Sequence, residues 1–358
     1  MGSEMCIRDR STRSQSCSVR SRARRLLTRR SRTAAPVAPV LSFGSWSTLE
    51  PGAAVTFCHP EWRGVRSATY SWRAPVVECA DLGAWSTPLI EDLRRAEAAA
   101  VVVSGFPPGS PEFLRAAAAA GFATRVVLHS SMAQHGAEAG EAEIAEAVLA
   151  LADEGVVGRV GFAKEGLQEA FAALGFDVAY VPNRVPKLPD APILDLGPGL
   201  HIGVFAEPFW RKNVVTQLGA VALLDGATGH VMIEPDVSYL RVLPVVAHGN
   251  LPWQEFIRVQ SSVDLNLYVT LSECQPLTPL ESYGARVPCL MSRTSALFRD
   301  DRTLWDLTSV AEADNPRAIA VAAERLLSYR DEAIRRAAAW MEEFDEAAAE
   351  RWDAFITP

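Results

Sequence analysis

Two glutamates, Glu273 and Glu281, stand eight residues apart in the segment of the chain with the densest chemical signal. Ahead of them, residues 263–269 alternate apolar side chains with polar or aromatic ones, which predicts a strand with two different faces. Glu273 lies in the loop that follows, and Pro279 fits the first position of the next helix, where a missing N–H costs nothing. Because open α/β sheets bind ligands at the carboxyl ends of their strands, the two carboxylates are predicted to flank a ligand-binding crevice.

Short apolar runs alternate with amphipathic, Ala-rich stretches from about residue 53 onward, a pattern typical of βαβ units on parallel sheets. A Pro- and Gly-rich connector at 181–199 interrupts the series and predicts a linker. We therefore expect an α/β protein with two Rossmann-like domains, at 41–195 and 196–335, whose parallel sheets are flanked by helices. A C-terminal helix at 336–358 is expected to pack back on the first domain through bulky apolar residues. The candidate strands are 53–58, 99–104, 125–129, 158–162, 178–181, 200–206, 230–233, 263–269 and 287–291.

Composition and charge exclude several classes of protein. Hydrophobic residues make up 49% and charged residues 22% of the 358 residues, the balance of a soluble globular protein. No apolar run reaches the ~18 residues that a membrane span needs. The net charge is -8, although the first 33 residues hold ten arginines against two carboxylates. The rest of the chain is thus strongly acidic, which argues against nucleic acid as a partner.

The first forty residues are predicted to be a disordered or artefactual head without chemistry. Residues 1–10 resemble translated sequencing-adapter DNA and are set aside. Residues 11–33 are rich in Arg and Ser, which fits a transit peptide, a misread flank or a disordered tail. The four cysteines beyond the head form no C-x-x-C pair, which indicates a reducing cytoplasm. Peripheral contact with a membrane stays open.

Several common catalytic motifs are absent from the sequence. There is no G-x-S-x-G elbow, no G-x-x-x-x-G-K-[ST] loop and no D-x-D pair. The six histidines never stand three or four residues apart, so a metal site on one helix is not expected. We predict neither a metal ion nor a cofactor.

The two glutamates and the turn from Gly284 to Pro288 resemble the Glu-x7-Glu and Gly-x-Pro pattern of retaining GT-B glycosyltransferases, especially family 4. The resemblance covers about 50–340 and implies the GT-B fold, with an acceptor-side first domain and a nucleotide-sugar-binding second domain. Three further segments resemble parts of the family: the linker segment Val181-Pro182-Asn183, the phosphate segment Gly203 to Asn213, and the first loop, His59 to Arg66.

The resemblance assigns the nucleotide half of the donor to five residues. It assigns the ribose to Glu281, because one carboxylate can accept hydrogen bonds from both ribose hydroxyls. Charge develops on the phosphate oxygens of the leaving diphosphate, and fixed cations or free helix N–H groups lower the barrier there. Arg211 and Lys212 are the candidate cations, and the backbone N–H groups of Leu277 and Thr278 are the candidate helix donors.

The resemblance assigns the transferred sugar to Glu273 and His129. Glu273 would balance the positive charge of the sugar in the transition state, and His129 would contact the sugar from the first domain. Arg63 and Gly64 fall in the acceptor or phosphate loop. The implied reaction moves a hexose from a nucleotide-diphosphate sugar to the hydroxyl of a carbohydrate or glycoconjugate acceptor, with retention and without a metal ion.

Each of these residues also has a structural alternative. Thr278-Pro-Leu-Glu281 has the form of a capping box, in which Glu281 would bond the backbone of its own helix. Arg211 and Lys212 could be a surface pair, and His129 could be a satisfied histidine at the end of a strand. Val204 stands where family members commonly carry arginine, which weakens the expected phosphate site.

Two other functions remain open on the same scaffold. One is a non-catalytic nucleotide-sugar-binding subunit, favoured by Val204 and by the prolines at 276 and 279. The other is a nucleotide-sugar epimerase, which would need a second acid or base beside His129. The donor, the acceptor and the oligomeric state are not predicted.

Overall fold

The computed structural model describes residues 37–234, 237–240 and 243–357. Over these residues the chain forms two mainly parallel sheets flanked by helices, which confirms the predicted α/β class with two Rossmann-like domains. Residues 1–36, which hold most of the predicted head, lie outside the described residues.

The first sheet has seven strands in the order β1-β3-β2-β4-β5-β6-β7, with β1 antiparallel to β3. Its strands are β1 Val40–Leu41, β2 Ala54–Cys58, β3 Val76–Glu78, β4 Ala100–Ser104, β5 Ala123–Leu128, β6 Arg159–Phe162 and β7 Val178–Tyr180. Every residue of β2 and β4 is buried, as expected for parallel strands covered on both faces. The helices of this half are α1 Arg63–Ser71, α2 Ser86–Arg95, α3 Ser110–Ala119, α4 Met132–Ala137, α5 Ala139–Asp153 and α6 Leu167–Ala172.

The second sheet has six parallel strands in the order β10-β9-β8-β11-β12-β13. They are β8 Leu200–Val204, β9 Ala227–Val231, β10 Val245–Ala247, β11 Leu265–Tyr268, β12 Cys289–Ser292 and β13 Ser309–Val310. The helices of this half are α7 Val214–Val221, α8 Trp253–Gln260, α9 Leu277–Gly284, α10 Arg302–Thr308, α11 Pro316–Ser328 and α12 Arg330–Ile356. Among the described residues, no helix has both the length and the apolarity that crossing a bilayer requires.

The end of α12 packs against the first domain, as predicted. The ring of Trp352 stacks on that of Trp72 with 4.6 Å between centroids, and both residues are buried. Phe355 is also buried there, and Arg125 of β5 donates from Nε to the Phe355 carbonyl at 3.1 Å. The last helix therefore begins on the second domain and ends on the first.

Replacing Trp352 with alanine should lower the free energy of unfolding by about 3–5 kcal/mol, because it removes a buried aromatic ring and leaves a cavity beside Trp72. Urea denaturation followed by circular dichroism measures this loss. Glu350→Ala is the control, since Glu350 is exposed on the same helix. A loss of less than about 1 kcal/mol for Trp352→Ala would contradict the packing described.

The start of the linker is clamped on two sides. Asn183 donates from Nδ2 to the Gln275 carbonyl at 2.8 Å, and Gln275 donates from Nε2 to the Asn183 carbonyl at 3.0 Å. Asp345 of α12 accepts from Arg184 Nη2 at 2.7 Å and from the Val185 backbone N–H at 3.0 Å. The residues that leave the first domain are thus fixed both to the loop after β11 and to the last helix.

The structure differs from the sequence predictions at short elements and at helix starts. The strands β1, β3, β10 and β13 span only two or three residues, too few for a periodic pattern. The helix predicted from Pro279 begins two residues earlier, at Leu277, with Pro276 before it. The C-terminal helix predicted at 336–358 begins six residues earlier, at Arg330, directly after Tyr329, which is not in the helical conformation.

Candidate active site

The loops at the carboxyl ends of the two sheets contact each other and form the floor of the predicted crevice. Ser131, after β5, is hydrogen-bonded through Oγ to Ser272 Oγ, after β11, at 2.8 Å. Cys274 Sγ donates to the His129 carbonyl at 3.2 Å. Arg63, in the first domain, donates from Nη2 to the Leu251 carbonyl of the second at 2.8 Å. These contacts bring the candidate residues of both domains into one region.

Glu273 lies in an ion pair rather than opposite free cations. Its Oε1 and Oε2 accept from Lys212 Nζ at 2.7 and 2.8 Å, and Arg211 Nη1 is 3.4 Å from Oε1. The hydroxyl of Tyr268 also bonds to the carboxylate, at 3.3 Å. Burial alone would lower the pKa of Lys212, but Tyr268 and Glu273 hold it above its ordinary value. Lys212 is therefore a firmly charged ammonium next to the loop that carries Glu273.

A 3-10 turn at Trp210–Lys212 presents the two cations, and Asn213 fixes that turn. Asn213 has a left-handed backbone (φ 55°) and donates from Nδ2 to the carbonyls of Val269 and Ala313, at 3.0 and 2.6 Å. This role of Asn213 could not be predicted from the sequence, because its partners are 56 and 100 residues away.

The first part of the phosphate segment lies in a strand, as predicted. Gly203 and Val204 are inside β8, and Val204 is fully buried. A Cβ on Gly203 would lie 2.2 Å from Asn266 Oδ1, so glycine is required there by packing. A side chain at position 204 points into the core, and this explains why the cations come from the later turn.

Glu281 is a buried carboxylate with few partners. It is 5% exposed, and Oε1 accepts from Trp253 Nε1 at 3.4 Å, the one hydrogen bond that the structure gives its carboxylate among the described residues. Burial raises the pKa of Glu281 to about 7, although the Trp253 bond opposes the shift. The capping-box alternative does not hold, because α9 begins with Pro276 as its N-cap and has no side-chain cap. The carboxylate is thus left to accept bonds from something outside its own helix.

The start of α9 offers a small set of free backbone donors. Helices leave their first N–H groups without an intrahelical acceptor. Two of the residues at this start are prolines, Pro276 and Pro279, so the donors are the N–H groups of Leu277 and Thr278. They belong to the same helix turn that positions Glu281.

His129 is held by the first domain. Its Nε2 is 2.9 Å from Ser104 Oγ, and its ring stacks on Trp72 at 5.7 Å. Burial lowers the pKa of His129 to about 4, so the imidazole is neutral near pH 7. A neutral imidazole can exchange hydrogen bonds with a sugar hydroxyl but adds no positive charge to the crevice.

Arg63 and Gly64 form the first turn of α1 rather than an open loop. Arg63 spans the crevice to Leu251, two residues before the helix that carries Trp253. A Cβ on Gly64 would meet no atom within 4 Å, so the space beside this turn is open.

Three histidines, on β8, on β9 and directly after β10, form a hydrogen-bonded chain. His201 Nε2 is 3.2 Å from the Gly197 carbonyl, His201 Nδ1 is 3.0 Å from His230 Nε2, and His230 Nδ1 is 3.0 Å from His248 Nε2. A carbonyl can only accept, so His201 carries its proton on Nε2, and neutral rings then require Nε2–H on His230 and His248 as well. Burial, with help from His248 and His201, lowers the pKa of His230 to about 4.

The histidine chain should make the fold less stable in acid. In the unfolded protein His230 takes up a proton below about pH 6.5, whereas in the folded protein it stays neutral down to about pH 4. Its stabilising contribution is therefore present above pH 6.5 and is lost as the pH falls toward 4. We expect His230→Gln to reduce the loss of unfolding free energy between pH 7 and pH 5, measured by urea denaturation. A loss in His230→Gln equal to that of the wild type would contradict the expectation.

Among the described residues, no group of three or more His, Cys, Asp or Glu side chains is arranged to hold a metal ion. The candidate residues that the structure brings together are Glu273, Arg211 and Lys212 by direct contact, and His129 through the backbone contact with Cys274. Trp253, Gln275, Ser131 and Ser272 are contacts that the sequence analysis missed, because each bridges segments far apart in the chain.

Two Rossmann-like domains with facing carboxyl edges and a last helix that crosses between them define the GT-B fold, and the chain has this fold. The similar solved structures include the trehalose-6-phosphate synthase OtsA, with a TM-score of 0.59, 11% identity and coverage of 85% of this chain and 98% of that one. A UDP-forming alpha,alpha-trehalose-phosphate synthase from Burkholderia xenovorans has a TM-score of 0.58 and 10% identity over 86% and 99% of the two chains. The same kind of enzyme from that organism, in complex with glucose-6-phosphate, has a TM-score of 0.57 and 12% identity over 85% and 99%.

At these identities the likeness shows the fold. No family model matches the chain, and no curated protein matches it. The reported neighbours agree with the GT-B class named from the sequence, while the narrower assignment to family 4 stays a prediction.

Proposed function

We propose that the protein is a glycosyltransferase that transfers a hexose from a nucleotide-diphosphate sugar to an acceptor hydroxyl, with retention and without a metal ion. The observation that carries the proposal is Glu281, a buried carboxylate whose one hydrogen bond among the described residues is a long one to Trp253. Burying a carboxylate is costly unless it is bonded, and the vicinal hydroxyls of a ribose supply the two donors that this one lacks.

The diphosphate is proposed to lie between the cations of the 210–212 turn and the start of α9. Lys212 and Arg211 supply positive charge, and the N–H groups of Leu277 and Thr278 supply fixed dipoles, which together stabilise the charge on the departing oxygens. Lys212 has to share its bonds between Glu273 and the phosphates when the donor binds. Such a shared ammonium would link the diphosphate directly to the residue assigned to the sugar.

The sugar is proposed to lie between Glu273 and His129. In the transfer, the bond from the anomeric carbon to the phosphate oxygen breaks and a bond to the acceptor oxygen forms on the same face. The acceptor proton passes to the departing phosphate oxygen, so no side-chain nucleophile is required. Glu273 balances the positive charge of the sugar, and neutral His129 bonds to a hydroxyl of the sugar.

A panel of UDP-, GDP- and ADP-sugars tests the donor by thermal shift, because a ligand that prefers the folded state raises the melting temperature. Turnover is then measured as release of nucleoside diphosphate with sugar phosphates and free sugars as acceptors. Glucose 6-phosphate is the first acceptor to try, given the complex formed by the similar synthase. Unchanged turnover in both Glu281→Ala and Lys212→Ala would refute the mechanism.

A second candidate is a binding subunit that does not catalyse transfer. The observation in its favour is that Glu273 already neutralises Lys212 and contacts Arg211, while two prolines reduce the N–H donors at α9. Calorimetry separates the two functions: a nucleotide sugar that binds without any release of nucleoside diphosphate supports the binding subunit.

A further inference from the structure

A cavity lies between the two domains, beside the loop after β11. Its volume is about 270 Å³. In the second sheet, β11 separates β8, which leads to the 210–212 turn, from β12, which leads to this cavity. We name it the β6–β12 cavity, because residues that follow β6 and β12 line it. Its lining includes Lys164, Arg351, Gln275, Thr294, Trp340 and Phe344.

The cavity holds more positive than negative charge. Four basic side chains line it, against the carboxylates of Glu165 and Asp300. Arg299 is paired with Glu165 at 2.7 Å, and Arg293 is 3.3 Å from Asp306. The other two basic residues, Lys164 and Arg351, make no ion pair within the described part of the chain.

The two unpaired cations are held in place by other contacts. Lys164 donates from Nζ to the Thr294 carbonyl, and the Arg351 guanidinium lies 5.2 Å from the centroid of the Tyr180 ring. Burial lowers the pKa of Lys164, although the nearby Cys274, Glu273 and Glu165 oppose the shift. An anion in the cavity would offset the cost of desolvating this ammonium.

The rest of the lining suits a hydroxylated ring. Thr294, Ser295 and Gln275 provide hydroxyl and amide groups, and Trp340 and Phe344 are stacked at 4.5 Å along one wall. Aromatic walls pack against the apolar C–H face of a sugar, while hydroxyls and amides bond its rim. The volume is just below the usual range for ligand pockets, so the occupant has to be small.

We propose that the β6–β12 cavity binds a small phosphorylated sugar, with Lys164 and Arg351 holding the phosphate, at a site separate from the donor crevice. Contacts between the domains at Ser131–Ser272 and His129–Cys274 stand between the two sites. The occupant touches both domains, Lys164 in the first and Thr294 in the second. It therefore favours the arrangement in which these domains are together.

Occupancy of the cavity is coupled to the candidate active site through the loop after β11. Gln275 lines the cavity and is bonded to Asn183 of the linker, and Cys274 lines it and contacts His129. A ligand here stabilises the loop that begins at Glu273. The site thus has the position of an activator site for whatever reaction the crevice performs.

Isothermal titration calorimetry of the full chain tests the proposal with three probes: glucose 6-phosphate, glucose and inorganic phosphate. We expect glucose 6-phosphate to bind at least tenfold more tightly than either other probe. Lys164→Gln, which keeps a donor for the Thr294 carbonyl, and Arg351→Ala should each remove one binding site or weaken it at least tenfold. Arg317→Ala, exposed on α11, should change nothing.

Three results would overturn the proposal. Glucose 6-phosphate could fail to bind, or it could bind no better than inorganic phosphate. It could also bind Lys164→Gln and Arg351→Ala as tightly as it binds the wild type. A sugar phosphate that binds only in the donor crevice as an acceptor gives the last result. Release of nucleoside diphosphate without added sugar phosphate is measured in the same variants and should be unchanged, so failure here is distinguishable from failure of the transferase proposal.

Discussion

Replacing Glu281 with alanine is expected to weaken the binding of the donor's nucleoside diphosphate by about a hundredfold or more. Two hydrogen bonds from ribose hydroxyls to an ionised carboxylate are each worth about 1.5–3 kcal/mol, and their loss corresponds to roughly two decades or more in affinity. Turnover at low donor concentration should fall by at least the same factor. Calorimetry with the nucleoside diphosphate, together with initial rates, measures both.

The free energy of unfolding should not fall when Glu281 is replaced, although nucleotide binding is weakened. Glu281 is buried with one long hydrogen bond, so the folded protein without ligand gains little from its charge. Glu281→Ala is therefore expected to leave the free energy of unfolding unchanged or to raise it. A large loss of stability together with unchanged nucleotide affinity would mean that Glu281 is a structural residue.

The pH dependence of binding provides an independent check on this residue. The carboxylate must be ionised to accept both hydroxyl bonds, and in the protein without ligand its pKa is about 7. Nucleotide affinity should therefore fall as the pH drops below 7, by up to tenfold per pH unit. Glu281→Gln, which cannot titrate at this position, should bind more weakly than the wild type at pH 8. It should show only the smaller fall that comes from protonation of the ligand's own phosphate, whose second pKa is about 6.

Replacing Lys212 with alanine is expected to lower kcat by about 10²–10³, the range found when one group that stabilises developing charge is removed. Lys212 is the cation with the closest contacts in the crevice, and its charge is maintained by Glu273 and Tyr268. The loss should appear with the diphosphate sugar, whereas binding of the plain nucleoside should stay the same. Initial-rate kinetics and nucleoside calorimetry separate these two effects.

Lys212→Arg is the matched control, because it keeps the positive charge and should retain more activity than alanine. Lys212→Ala also leaves Glu273 buried with a weaker partner, Arg211 at 3.4 Å, which costs stability. The double variant Lys212→Ala, Glu273→Gln removes that buried charge and should recover stability without recovering kcat. Recovery of kcat in the double variant would show that the effect of Lys212 is structural.

The parts of the fold that the sequence predicted are those with strong local patterns. Strands such as β4, whose residues are all apolar except the last, are recognised by composition alone. The short strands β3 and β13 are not, since three and two residues carry no period, and their pairing depends on neighbours elsewhere in the chain. The helix α1 was missed because two of its three buried residues, Thr69 and Ser71, are polar, so its buried face shows no apolar period.

The sequence predicts which segments carry the candidate site, but it does not predict how the side chains there are bonded. The sequence predicts that Glu273 lies in a loop and Glu281 in the helix that follows it, because the two residues are only eight positions apart. It could not predict that Lys212 lies on Glu273, since 61 residues separate them and the contact depends on the turn fixed by Asn213. Trp253 beside Glu281 is a similar case, as it comes from a different helix.

The clamped linker restricts where the two domains can bend. Asn183 is tied to Gln275, and Arg184 and Val185 are tied to Asp345, so the first residues of the connector form part of a rigid block. Gln275 belongs to the second domain, so any opening that preserves these bonds has its pivot before Asn183, where the chain leaves β7. A substrate would then enter the crevice while the loop after β11 and residues 183–185 move as one unit.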